Sequence, residues 1–169
     1  MYTDFEMKAV VQRSGPARCE INGKTTGAIP RGLVLLVSVD PADTMADVEW
    51  LGNKIAGLRI FPDAEGKMNQ SLLDLQDDWA KEPSPDPTQR PGILSISQFT
   101  LHGRIKKGFR PSFTEAAGPE KGEEYYRLLN EDLRARGLVV EEGVFGAMMD
   151  IHLVNEGPVT ILIDTKNKG

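Results

Sequence analysis

Cysteine is nearly absent. Cys19 is the only one in 169 residues, which excludes an intrachain disulfide framework and any multi-cysteine zinc site and fits a reducing compartment. Histidine is almost as scarce, with His102 and His152 alone. Neither His-x-x-x-His nor Asp-x-Asp spacing occurs, so metal catalysis is not expected and no cofactor is implied. Ser97, His102 and Asp150 include the residue types of a hydrolytic triad, but nothing in their spacing shows a hydrogen-bonded relay. His152, two residues from Asp150, reads as a hydrogen-bonded or exposed histidine. No Gly-x-Gly-x-x-Gly or Walker-type loop is present, so nucleotide-cofactor chemistry has no support. No apolar run approaches the length of a membrane span, and the first six residues lack a basic-then-apolar leader profile. A cytoplasmic protein without a membrane partner is the expectation. The net charge of −5 argues against broad nucleic-acid binding, makes DNA an unexpected partner, and confines any RNA contact to a local basic patch.

What is there is a succession of short apolar runs. Met7 to Gln12 reads as a first strand, and Ala17, Cys19 and Ile21 alternate with polar residues in a second. Asn22-Gly23 then follows, the strongest short hairpin signal, returning the chain through Lys24 to Ile29. Leu33-Val34-Leu35-Leu36-Val37 is too continuous for a half-solvated strand and belongs in the centre of a sheet. Val48, Leu51, Ile55 and Leu58 recur at three or four residues, predicting a helix within Pro41 to Leu58 with Asp43 or Thr44 as N-cap. Asp74 to Gly92 carries Asp77, Asp78, Glu82, Asp86 and four of the eleven prolines, so the stretch, centred on 76–92, reads as an exposed acidic Pro-rich loop. Ile93 to Phe99 returns to a strand. Pro119 at a first helical position, Tyr126, Leu129 and Leu133 on one face, and Gly137 as a stop mark a second helix. Val144 to Val154 reads as one long strand and Val159 to Asp164 as the last. The order predicts a single α+β domain over 1–169, with two main helices and a largely antiparallel, barrel-like sheet.

Three stretches carry polar groups in positions that packing alone does not demand. Ser97-Gln98-Phe99-Thr100, at the mouth of a strand, offers an amide, two hydroxyls and main-chain N–H groups as donors to a developing oxyanion. Gly157-Pro158, between two strand-like runs, has to occupy a corner, because proline lacks an N–H and is confined to edges, bulges and turns of a sheet. Arg104, Lys106, Lys107 and Arg110 form the one basic cluster. Each has a plain alternative: a strand end with Phe99 in the core, a hairpin corner, a solvated loop.

Taken together and in order, the motifs resemble those of the D-aminoacyl-tRNA deacylase family. The resemblance spans Met7 to Thr165 and rests on Gln12-Arg13, Arg59-Ile60-Phe61 with Gly66-Lys67-Met68-Asn69, Ser97 to Leu101, Arg110-Pro111-Ser112-Phe113, Phe145-Gly146-Ala147 with Met149, and Asn155-x-Gly157-Pro158-Val159-Thr160. Two departures, an N-terminal extension over residues 1–6 and a long Pro-rich segment, touch none of these. The resemblance implies a homodimeric hydrolase that cleaves the ester between a D-amino acid and the 3′-terminal adenosine of tRNA, and accepts glycine as well. It implies a cis Gly157-Pro158 peptide whose carbonyls enter the partner subunit's pocket and exclude L side chains. It assigns Ser97, Gln98, Phe99 and Thr100 to the scissile ester, with hydrolysis assisted by the RNA's own hydroxyl. Arg13 would brace the Gly-Pro loop, with Asn155, Ala147 and Met149 supporting the site and Arg104, Lys106, Lys107 and Arg110 meeting phosphates. Thr100 as a covalent nucleophile is the rival mechanism. An RNA- or ligand-binding module without turnover, or an editing domain for L-aminoacyl esters as in threonyl-tRNA synthetase, are the rival functions.

Overall fold

The computed structural model describes residues 7–167, so the extension expected over residues 1–6 lies outside the described residues. Three strands open the chain: β1 (Lys8–Ser14), β2 (Ala17–Ile21) and β3 (Lys24–Ile29). Asn22 and Gly23 join β2 to β3 with φ of 50° and 77°, the paired positive angles that a type I′ hairpin turn requires. β4 (Gly32–Ser38) is the middle strand of a five-stranded sheet ordered β10-β1-β4-β7-β8, with β7 at Gly92–Ser97, β8 at Val140–Glu142 and β10 at Asn155–Asp164. β3, β2 and β9 (Asp150–His152) form a second sheet. β5 (Phe61–Pro62) and β6 (Met68–Gln70) pair separately.

The continuous apolar run of β4 follows from burial on both faces. Leu33, Leu35 and Val37 meet one core with Val48, Leu51 and Ile55 of α1 (Met45–Gly57) and Leu129 and Leu133 of α3 (Pro119–Ala135). Val34 meets a second core with Ala17, Cys19, Ile29, Leu94 and Ile96, beneath the three-stranded sheet. The layers are therefore helices, sheet, sheet. At about 25 cal/mol per Å² of apolar surface, each fully buried Leu or Ile of these layers contributes about 1.5–3 kcal/mol. Thr44 is the N-cap of α1, and its N–H donates to Asp47 Oδ2 at 2.9 Å.

Five strand pairings are antiparallel, but β4–β7 and β7–β8 are parallel. Parallel neighbours need long crossovers. α1 and α2 (Leu72–Lys81) fill the first and α3 the second. Helix α2 corrects the loop expected from Asp74 onward: Ser71 caps it by accepting Asp74 N–H at 3.2 Å, and Leu72 and Leu75 are buried. There are thus three helices and not two among the described residues, and the sheets do not close into a barrel. The long strand expected over Val144 to Val154 is also corrected, since only Asp150–His152 finds a partner there, β2.

Candidate functional site

β7 ends at Ser97, directly beside Val37 of β4. The chain then turns through a single 3-10 helix, Phe99–His102. Gln98 anchors the turn by donating its N–H to Val37 O at 2.7 Å. The first hydrogen bond of the turn runs from Leu101 N–H to Gln98 O, 3.2 Å, so the N–H groups of Phe99 and Thr100 precede the ladder and take no part in it. Gln98 Nε2 donates to Thr100 Oγ1 at 2.5 Å. The Phe99 ring, 56% exposed, stands edge-on to Phe113 with centroids 5.2 Å apart.

This turn borders a cavity of about 520 Å³. Ser97, Gln98 and Phe99 line it, together with Phe113, Ala147 and Met149 among others, whereas Thr100 is not among its lining residues. Of the residues expected at the site from sequence, Ser97, Gln98, Phe99, Ala147 and Met149 are therefore brought together. Phe113 and Phe145 also line the cavity; sequence reading placed both in motifs without assigning them a wall.

Gly157-Pro158 is not among the lining residues of its own chain's cavity. It sits in a bulge on β10. Gln12 pairs with Thr160 and Ser14 with Asn155, so the four residues Glu156 to Val159 stand opposite Arg13 alone. The peptide is cis, and Gly157 has φ 130°. Arg13 Nε donates to Glu156 O at 3.1 Å and Nη1 to Ile60 O at 2.8 Å, which ties the bulge to the segment leading into β5. Asn155 closes the bulge from both ends of one amide: Oδ1 accepts Val159 N–H at 3.0 Å and Nδ2 donates to Thr160 Oγ1 at 2.9 Å. Glu156, Gly157 and Pro158 project into solvent. β10 is an edge of the five-stranded sheet, and Leu162 upon it is 78% exposed.

The basic cluster lies on a loop closed by paired main-chain bonds of 2.8 Å between Arg104 and Ser112. Lys106, Lys107 and Arg110 are exposed along it, together with Ile105 and Phe109. Arg104, also exposed, is ion-paired with Glu115. Through Phe113 the loop joins the wall of the cavity.

The histidines do not assemble the triad considered from sequence. His102 is buried, and its Nδ1 bonds Ser38 Oγ. His152 is exposed, with Nε2 3.4 Å from Glu20 Oε2. Among the described residues no group of three His, Cys, Asp or Glu is arranged to hold a metal ion, and no helix is long and apolar enough to cross a membrane.

A sequence model of the family described as D-Tyr-tRNA(Tyr) deacylase matches residues 10–164. A Geobacillus sp. (strain WCH70) protein named D-aminoacyl-tRNA deacylase is 46% identical over 162 residues, 96% of this chain and 97% of its own. A Thermotoga petrophila protein of the same name is 49% identical, covering 94% and 97%. Among solved structures, one titled c-Myc DNA Unwinding Element Binding Protein superposes with a TM-score of 0.77 at 35% identity, over 92% of this chain and 97% of that one. Another, titled a probable eukaryotic D-amino acid tRNA deacylase, gives 0.75 over 94% and 99%; at 18% identity it speaks for the fold alone.

Proposed function

The chain belongs to the D-Tyr-tRNA(Tyr) deacylase family and is a hydrolase of D-aminoacyl-tRNA, and we propose that it selects its substrate by a clash supplied across a homodimer. L- and D-aminoacyl esters carry the same functional groups and differ only in the direction in which the side chain leaves Cα. Contacts that recognise a group cannot separate them; a wall can. The observation that carries the proposal is the separation of the two motifs. In one chain Ser97 to Phe99 line a cavity, whereas Gly157-Pro158 stands outside it on an exposed, braced bulge. A two-fold dimer formed along the β10 side brings each bulge to the partner's cavity at once, because a self-complementary interface makes every such contact twice. The Gly157-Pro158 main chain then occupies the space an L side chain needs, and D side chains and glycine leave the other way.

Hydrolysis in this reading needs orientation and two donors. The ester lies over the turn after β7, and the Phe99 and Thr100 N–H groups take the charge that builds on its carbonyl oxygen. Gln98 and Ser97 position the terminal adenosine, whose own hydroxyl assists the attack of water. Thr100 is not the nucleophile, because a hydroxyl requires a base and its partner here is the Gln98 amide. Lys106, Lys107 and Arg110 meet the phosphates of the acceptor end. The setting is cytoplasmic translation quality control.

Deacylation of D-Tyr-tRNA and L-Tyr-tRNA by the purified protein is the test, combined with sedimentation. Rapid release from the D ester, sparing of the L ester and a dimer at assay concentration are expected. Equal rates on the two esters, or full stereoselectivity in a monomer, would refute the cross-subunit wall.

A further inference from the structure

Behind the turn that borders the cavity lies a buried chain of polar side chains that takes no part in the chemistry described above. His102, at the end of that turn, is 1% exposed, and its Nδ1 bonds Ser38 Oγ at the end of β4. Ser38, also 1% exposed, donates its hydroxyl to Phe99 O at 3.2 Å. On the far side His102 Nε2 lies 3.8 Å from Asp40 Oδ2. Asp40 is itself fixed, its Oδ1 accepting Ala42 N–H at 3.0 Å.

Proton bookkeeping gives this chain a direction. A hydroxyl has one hydrogen, and a carbonyl oxygen can only accept. If Ser38 donates to Phe99 O, it has nothing left to offer His102, so Nδ1 must carry the proton and donate to Ser38 Oγ. In that tautomer the order is Nδ1–H to Oγ–H to the Phe99 carbonyl; the opposite one, with Nε2–H toward Asp40, draws the Ser38 hydroxyl to Nδ1 and releases the carbonyl. The Phe99 carbonyl and the Thr100 N–H belong to one planar peptide unit, and that peptide is trans, the cis bond of the described residues being Gly157-Pro158. In a trans peptide the C=O and N–H point in opposite directions. Holding Phe99 O inward against Ser38 therefore turns the Thr100 N–H outward.

We infer that Ser38 and His102 are positioning residues that aim the Thr100 N–H at the bound ester, with His102 acting through Ser38 on the Phe99–Thr100 peptide plane. The inference deepens the proposed function and rests on its reading of that N–H as an oxyanion donor. Neither side chain touches substrate. A donor held in place before the reaction does its work in the transition state, so loss of aim lowers kcat and leaves KM.

The test is D-Tyr-tRNA deacylation by full-length variants, with kcat and KM measured separately. Ser38→Ala and His102→Leu should each lower kcat about 5- to 10-fold, with KM within about two-fold. The double variant should be no slower than the worse single one, because both changes break one chain. Ser38→Thr should restore the rate. His102→Asn places an N–H near Nδ1 and His102→Gln near Nε2, so Asn should retain more activity than Gln; this comparison holds even if Ser38→Ala does not fold. A folded Ser38→Ala with unchanged kcat, multiplicative losses in the double variant, or Gln outperforming Asn would overturn the inference. The Thr100 amide resonance in a ¹⁵N-labelled protein gives a readout independent of activity. It should shift in Ser38→Ala and return in Ser38→Thr, and a resonance that stays put overturns the aiming. Were the wild-type protein inactive on D-Tyr-tRNA while that resonance moved as expected, the proposed function would fail and the positioning would stand.

Discussion

Replacing Gly157 by alanine perturbs the bulge without removing any functional group. The residue sits at φ 130°, a conformation L side chains rarely adopt. A Cβ there would come within 2.8 Å of Val159 Cγ2, 2.9 Å of Val159 N and 3.1 Å of Arg13 Nη2. The valine side chain can turn aside. Its nitrogen cannot move freely, because its N–H is bonded to Asn155 Oδ1, and Arg13 is held by Glu156 O and Ile60 O. Forcing a residue with a Cβ into sparsely populated φ/ψ space costs about 1–3 kcal/mol. In a protein of this size each kcal/mol lowers the melting midpoint by about 2–4 °C, so a fall of about 2–12 °C is expected in a thermal melt. The alternative is that the exposed bulge swings to a new backbone conformation. Stability is then largely kept, but the wall is displaced, and the ratio of D-Tyr-tRNA to L-Tyr-tRNA hydrolysis should drop at least about ten-fold, the equivalent of about 1.4 kcal/mol. Gly57→Ala is the control. Gly57 ends α1 without positive φ, and its Cβ would meet nothing within 4 Å, so that variant should match or exceed the wild type in stability. A Gly157→Ala protein with both a wild-type melting midpoint and a wild-type D/L ratio would refute the reasoning.

Thr100→Ala removes a hydroxyl but keeps the main-chain N–H, so kcat should stay within about ten-fold of wild type; an acyl-enzyme trapped on Thr100, or a loss approaching a million-fold, would reinstate the nucleophile. Changing Lys106, Lys107 and Arg110 to alanine should raise KM for every D-aminoacyl-tRNA alike and reduce the slope of log KM against log salt by about one for each phosphate left without its cation; an unchanged slope removes these residues from the RNA interface. Asp43 supplies a pH dependence. Burial, with the Asp47 and Asp40 carboxylates adding, raises its carboxyl from 3.8 to about 7, so the stability its protonated form gives is complete below about pH 3.8 and lost as pH climbs to about 7. At about 1.4 kcal/mol per pH unit the ceiling is about 4 kcal/mol. Asp43→Asn should therefore raise the melting midpoint more at pH 8 than at pH 5, and equal gains at both would count against a buried neutral carboxyl.

Much of the fold was legible because its signals are local. Asn22-Gly23 demanded a particular turn, the 3.6-residue spacing of α1 and α3 matched the faces they bury, and the uninterrupted apolar run of β4 reported burial from both sides. Helix α2 was masked by its own surface: Asp74, Asp77 and Asp78 give the segment the composition of a loop, and only Leu72, Leu75 and Gln76 are buried. The usable signal was the Ser71 and Asp74 capping box. The error over Val144 to Val154 was of the opposite kind. Alternation there is real, but a strand needs a partner for its main chain, and β2 offers one only opposite Asp150 to His152. The residues before it line the cavity instead.

The site was legible as motifs and not as geometry, for a reason that lies in its chemistry. A triad is visible in sequence because its working atoms belong to particular side chains. Here the proposed working atoms are main-chain ones, the N–H groups of Phe99 and Thr100 and the carbonyls around Gly157-Pro158, and every residue carries such groups. Sequence can register them only through the side chains that hold the main chain still. Asn155 and Arg13 do so within the bulge, and their proximity to the motif in sequence or in strand register made them readable. Ser38 does so from 61 residues away, through one hydrogen bond to Phe99 O. A lone serine at the end of a buried strand has no distinguishing pattern, so its part becomes apparent only when the fold sets it against the Phe99 carbonyl.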